Sequence, residues 1–261
     1  MTTIIIYGKH SNDWSLAFSK DSSLWNSFPD ITVQHNITSN STGIVIPLME
    51  KHILDFIDKY DANKFLSLIP TKYMIETFGD KLAFVHYILN NNLISMAPKI
   101  LSIDNIVYPC IIKRTNLNNG DGSKILNDAN DLIRYLIFNK NKKYIIQNII
   151  YDNVEYTTNC ICHNGNILWH TTYFYKLDKP YTIKRAGVVP YKYEISNKIL
   201  CELQSFLLPI KYQGPCNIDY KIVNGHIMVM EINPRFGGSL MMMDNREDLR
   251  QAIKTIINVL I

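Results

Sequence analysis

With 261 residues, 47% of them apolar and 19% charged, the chain exceeds one average domain and can bury a sizeable core. Its net charge of +4 is spread along the sequence, and the local cluster Lys140, Lys142 and Lys143 reads as a solvated helix end, so nothing calls for nucleic acid. No apolar run reaches membrane-span length, and five scattered cysteines without CxxC or Cys/His spacing exclude a zinc site or disulfide framework, reading instead as reduced thiols of a cytoplasmic protein.

The opening run Thr3–Tyr7, then 31–37 and 43–46, predict buried strands of an α/β sheet, the first of them in place of a signal peptide. His10, Ser11 and Asn12 follow the first strand as the best-placed polar residues of this unit. Pro47 is expected to open a helix running to about Tyr60, with Leu48, Ile53, Leu54, Phe56 and Ile57 at helical spacing. A short strand over Phe65–Ile69 closes a compact first unit. Asp80 caps the next helix, Lys81–Asn90.

From Tyr108 the pattern becomes antiparallel. Tyr108–Lys113 is a strand, Asn116–Ser123 a loop rich in Gly and Asn, and Asn127–Asn139 a helix with an acidic start. Strands follow over Tyr144–Ile150, Glu155–Cys162 and Ile167–Tyr175, the last two joined by an Asn164-Gly165 turn. A helix over about Ile195–Leu208 precedes a final hairpin, Cys216–Val223 with His226–Asn233, and a C-terminal helix near Asp248–Leu260.

That hairpin carries the sharpest chemical signal. Glu231 and Asn233 are two apart in a strand and so share a face. A plain two-residue turn at Asn224-Gly225 would put Asp219 on the opposite face. A three-residue loop, Val223–Gly225, with a bulge at Gly225 restores the parity and makes Asp219 and Glu231 diagonal neighbours. Three oxygen-bearing side chains on one face suit a hard cation such as Mg²⁺, with Mn²⁺ an alternative. Arg235 follows with a fork of donors for phosphate or carboxylate, and Gly237-Gly238 allow close backbone approach.

The ordered set Asp219, Glu231-Ile-Asn233-Pro-Arg235 resembles the closing motif of the ATP-grasp superfamily, in its carbamoyl-phosphate-synthetase-like branch. The resemblance spans roughly residues 75–245. It implies an α+β ATP-grasp fold, two lobes around an ATP cleft, preceded by a shortened α/β domain. The expected division is 1–75 for that first domain and 76–261 for the grasp, with a lid-bearing lobe at about 108–145 and a C-terminal lobe at about 146–261.

The resemblance also implies roles for individual residues. Asp219, Glu231 and Asn233 would hold two magnesium ions on the ATP phosphates, and Arg235 would steady the transferring phosphoryl group. Lys81 and Lys113 would be the phosphate-facing lysines, although Arg114 stands where the family usually has proline. Asn119-Gly120-Asp121-Gly122-Ser123 resembles the lid whose amides close over the phosphates. Tyr144–Ile150 resembles the hinge strand that meets adenine through Gln147, Asn148 and Ile150, with Gln147 where glutamate is common, and Glu155 matches the ribose-binding acid. One of Lys176, Lys184 and Arg185 would face the γ-phosphate or a substrate carboxylate.

The implied activity is a carbon–nitrogen ligase that uses ATP and Mg²⁺ to join a carboxylate to an amine through an acyl phosphate. The alternatives are a small-molecule kinase on the same site or a silent nucleotide-binding subunit. Expected partners are small molecules (an amino acid, peptide or amino sugar) and a second copy of the chain as a homodimer, with no membrane and no nucleic acid. A dinucleotide-dependent dehydrogenase is disfavoured, because the first strand leads into Gly8-Lys-His-Ser-Asn12 rather than GxGxxG.

Overall fold

A computed structural model describes residues 2–61, 64–117, 120–183 and 188–261. The chain begins with four strands and two helices: β1 (Thr2–Tyr7), α1 (Asn12–Ala17), β2 (Ile31–His35), β3 (Gly43–Pro47), α2 (Glu50–Lys59) and β4 (Phe65–Leu66). The strands form one parallel sheet in the order β2-β1-β3-β4. Alternation decides what each face covers. Ile5 and Val45 point to Phe56 of α2, while Ile4, Ile6, Ile44 and Ile46 enter a second core with Trp14 of α1. Pro47 ends β3 instead of opening the helix, whose first residue is Glu50, and β4 keeps only two of the expected five strand residues.

Next come α3 (Lys72–Gly79) and α4 (Lys81–Asn90). Asp80 separates them and caps α4 by accepting from the backbone amides of Leu82 (2.9 Å) and Ala83 (3.0 Å), a contact worth about 1 kcal/mol. The expected division after residue 75 falls inside α3, whose Met74 and Phe78 belong to the core of the larger C-terminal sheet. Helix α3 is therefore tied by its packing to the C-terminal sheet rather than to the first unit.

A small antiparallel sheet, order β6-β5-β7, contains β5 (Cys110–Arg114), β6 (Lys124–Leu126) and β7 (Tyr144–Asn148). Helix α5 (Ala129–Phe138) covers it, packing Leu132 and Tyr135 on Cys110, Ile112, Leu126 and Ile146. All five residues of β7 lie in this sheet, so the lobe boundary follows Asn148 rather than residue 145.

The largest sheet is antiparallel, in the order β10-β9-β8-β11-β12, and contains β8 (Val154–His163), β9 (Asn166–Lys176), β10 (Tyr191–Tyr193), β11 (Gly214–Val223) and β12 (His226–Asn233). Cys160, Cys162, Cys216, Ile218, Tyr220 and Ile232 of one face pack on α3, α4 and α6 (Asn197–Ser205). At one end of the other face, Ile161 and Tyr173 meet α7 (Arg246–Leu260) and the even-numbered residues of β1 and β3. Among the described residues no helix is long and apolar enough to cross a membrane.

The β11–β12 hairpin solves its parity problem differently from the sequence expectation. Val223 pairs with His226, so the turn is the two-residue Asn224-Gly225, with φ of 52° and 75°. Positive φ at both positions is the turn geometry that Asn-Gly favours. The bulge lies deeper: Tyr220 pairs with Val229 and Asp219 with Glu231, leaving Met230 as the extra residue. Asp219 and Glu231 are thus directly opposed rather than diagonal.

Candidate nucleotide and metal site

Register across the large sheet brings a row of polar side chains onto one face. Asn217 pairs with Asn233 on one side and Asn159 on the other, while Asp219 pairs with Glu231 and Thr157. Side chains of directly paired residues share a face, so Asp219, Glu231 and Asn233 stand together as expected. Asp219 and Asn233 are buried and Glu231 half-buried. Asn217, Asn159 and Thr157 complete the patch, which motif reading missed although Asn217 lies two residues before Asp219. The Asn217 amide donates to Thr157 Oγ1 (2.5 Å), Asn233 Nδ2 donates to Asn217 Oδ1 (3.4 Å), and the Gly237 amide donates to Asn159 Oδ1 (3.0 Å). Gly237 is required here, because a Cβ would lie 2.3 Å from that oxygen.

The direct pairing of Asp219 with Glu231 sets two carboxylates side by side, an arrangement that suits a cation. Asn233 adds an amide oxygen, so the donor set is all oxygen and fits magnesium. Its mixed composition matters, since among the described residues no group of three His, Cys, Asp or Glu side chains is arranged for a metal. Arg235 sits at the end of the row. Its Nη1 donates to the Phe236 carbonyl (2.8 Å), its Nη2 to Asn233 Oδ1 (3.4 Å), and its Nε lies 3.1 Å from Glu50 Oε1 without hydrogen-bond alignment. Glu50 begins α2, so the first unit helps to hold this guanidinium.

Lys113 of β5 approaches from the small sheet. Burial pushes its ammonium pKa down and the neighbouring Lys81 adds to this, while Glu231 and Glu155 pull it back up. Lys113 is therefore close enough to Lys81, Glu231 and Glu155 to sense all three. Lys81 Nζ donates to the Leu117 carbonyl at 2.5 Å, at the base of the glycine-rich loop. Within that loop Gly120 and Gly122 have φ of 73° and 66°. The Gly120 carbonyl accepts from the Ser123 amide (3.1 Å), and the Gly122 carbonyl accepts from the Arg114 amide (3.3 Å) and the Tyr135 hydroxyl (2.6 Å). Asn119, expected in the lid, lies outside the described residues.

A cavity between the two sheets is lined by Lys113, Gln147, Asn148, Ile150 and Glu155, all singled out by the sequence, together with Tyr181, Lys221 and Met230. Gln147 is buried and its Oε1 has no hydrogen-bond partner. Such an orphaned acceptor is costly without a ligand donor. Lys221 is the main residue missed. The residue is 3% exposed, burial lowers its pKa, and Glu155 and Asp152 oppose that shift.

Lys176 is a correction. It is exposed at the end of β9 and pairs with Val154, whereas Glu155 pairs with Tyr175. Strand alternation therefore turns Lys176 away from the face that carries Glu155. Lys184 and Arg185 lie outside the described residues.

A family model described as an ATP-grasp domain matches residues 78–239. By sequence, no curated protein matches the chain. Among solved structures, the D-alanine–D-alanine ligase of Bacillus anthracis aligns with a TM-score of 0.69 at 13% identity, over 99% of this chain and 96% of that one. The phosphoribosylamine–glycine ligase of Thermotoga maritima gives 0.67 at 14% identity, over 92% and 70%. A nucleotide complex of biotin carboxylase from Campylobacter jejuni gives 0.63 at 12% identity, over 97% and 70%.

Proposed function

The chain belongs to the ATP-grasp family, and from that premise we propose that it is an ATP- and magnesium-dependent ligase joining a carboxylate to an amine. The observation that carries this reading is the direct pairing of Asp219 with Glu231 beside Asn233, facing Lys113 across the cleft. An element of structure alone has no use for two opposed carboxylates there. Magnesium, when bound, would be held by Asp219, Glu231 and Asn233 and would neutralise charge on the nucleotide phosphates.

The chain's own residues supply the rest. Gln147, Asn148 and Ile150 form the base-binding wall and Glu155 takes the ribose hydroxyls, all within one cavity. Lys81, Lys113 and Arg235 stabilise the charge spread over the phosphoryl oxygens as the substrate carboxylate attacks the γ-phosphorus. The loop at Gly120–Ser123 excludes water from the resulting acyl phosphate. The amine then displaces phosphate and an amide forms.

Structural neighbours named as ligases, one of them a D-alanine–D-alanine ligase complexed with ATP, support the class of reaction. An amino acid, peptide or amino sugar is the expected substrate class. The five cysteines are all free, which supports a reducing, cytoplasmic setting. The test is a screen of carboxylate and amine pairs for ADP release, with mass spectrometry of the products. An amide with stoichiometric free phosphate is expected; a phosphorylated substrate without free phosphate would make the chain a kinase instead.

A further inference from the structure

Lys221 lies two residues beyond Asp219 on β11, so Asn217, Asp219 and Lys221 share one face of the strand. Its Nζ donates to the carbonyls of Ile150 (3.1 Å), Asp152 (2.8 Å) and Pro180 (3.0 Å). An ammonium has three protons, and here each has an acceptor in the protein. A lysine so occupied has no donor left for a ligand and acts on the protein around it.

Those acceptors come from two separate stretches, the connection after β7 and the one after β9. The stretches are also joined to each other: the Asp152 amide donates to the Pro180 carbonyl (2.8 Å) and the Leu177 amide to the Asn153 carbonyl (2.7 Å). The Tyr151 and Tyr181 rings meet edge to face with centroids 5.4 Å apart. Ile150 and Tyr181 line the same cavity as Lys221. The two connections therefore form one wall, and Lys221 fastens that wall to the strand bearing Asp219.

We propose that Lys221 is a positioning residue that sets the base-binding wall at a fixed distance from the Asp219–Glu231 pair, and so aligns the two ends of the nucleotide. The inference rests on the reading of this cavity as the nucleotide site. Removing the ammonium takes a shared donor away from all three carbonyls, of which only that of Pro180 keeps another, the Asp152 amide, and lets the wall drift from the phosphate end. Base recognition should suffer, and phosphate binding should not.

Calorimetry with ADP and with tripolyphosphate, both in excess magnesium, tests this on wild type, Lys221→Met and Lys221→Gln, with melting curves to verify folding. Lys221→Met should bind ADP about tenfold more weakly, bind tripolyphosphate as wild type does, and prefer ATP over GTP less. Lys221→Gln, which keeps two donors, should lose about threefold. Equal weakening of both ligands, or wild-type ADP affinity in a folded variant, would overturn the proposal. If Lys221→Met does not fold, the same comparison on Lys221→Gln decides. A wild-type protein that binds tripolyphosphate but no ADP would overturn the nucleotide reading of the cavity, and this inference with it.

Discussion

Strands β11 and β12 present two unlike surfaces. Cys216, Ile218, Tyr220 and Ile232 face one way and are no more than 1% exposed, sealed under the helices. Asn217, Asp219, Lys221 and Asn233 face the other way and are also buried, but among polar partners. The first face gains about 1.5–3 kcal/mol for each large apolar side chain removed from water. On the second, every polar group costs free energy unless it is paired, and two carboxylates side by side cost more still. One pair of strands thus separates stability from chemistry residue by residue, and substitutions on the two faces should fail in different assays.

The largest effect is expected at Glu231→Gln. ADP release at saturating ATP and magnesium should fall about 10²–10³-fold, because phosphoryl charge is stabilised most in the transition state. The melting temperature should hold, since the side chain keeps its shape and lies outside the apolar core. A melting loss as large as that of a core variant would erase the distinction between the faces.

Ile218→Ala, one residue from Asp219 but pointing into the helices, should do the reverse. Denaturant unfolding should show a loss of about 3 kcal/mol, with nucleotide affinity unchanged below the transition. Weakened nucleotide binding in the folded variant would show that the faces are coupled.

Gly237→Ala tests the seam between them. The new Cβ would lie 2.3 Å from Asn159 Oδ1 and would displace the Gly237 amide from that acceptor. Turnover should drop about tenfold with about 1–2 kcal/mol of stability, a mixed outcome that neither face alone gives. Unchanged turnover would mean that the asparagine row only braces the sheet.

Glu202→Gln is the smallest. The Glu202 carboxylate accepts from His226 Nδ1 (2.7 Å) and the Ile227 amide (2.9 Å), bracing the hairpin from α6. A stability loss within about 1 kcal/mol and no change in turnover are expected. A clear fall in turnover would show that the far end of the hairpin communicates with the cleft.

The residues legible in the sequence are those whose role is set by spacing within one element. Asp80 as a helix cap, the Asn164-Gly165 turn, and Glu231 sharing a face with Asn233 all belong to that class, whereas the three-residue loop expected at Val223–Gly225 is a two-residue turn with its bulge at Met230. Helix α3 passed unnoticed because its eight residues are too short a window for a helical period to stand out, and a glycine ends them. Lys176 misled because alternation on β9 depends on its pairing with β8, which no local pattern shows. Lys221 and Glu50 were invisible for a related reason. Their partners, Pro180 and Arg235 among them, are brought close only by tertiary packing.

The bulge at Met230 has a consequence for how this hairpin tolerates changes in length. A regular strand cannot place two successive side chains on the same side, yet Met230 lines the cavity beside Gln147 while Glu231 stands against Asp219. Deleting Met230 would not break the pairing. The strand would close up by one residue, Glu231 would still meet Asp219 by simple alternation, and the Asn224-Gly225 turn would stay as it is. What would disappear is the apolar side chain that Met230 adds to the cavity wall. A one-residue deletion should therefore leave a hairpin that folds and keeps its carboxylates opposed, but binds nucleotide more weakly.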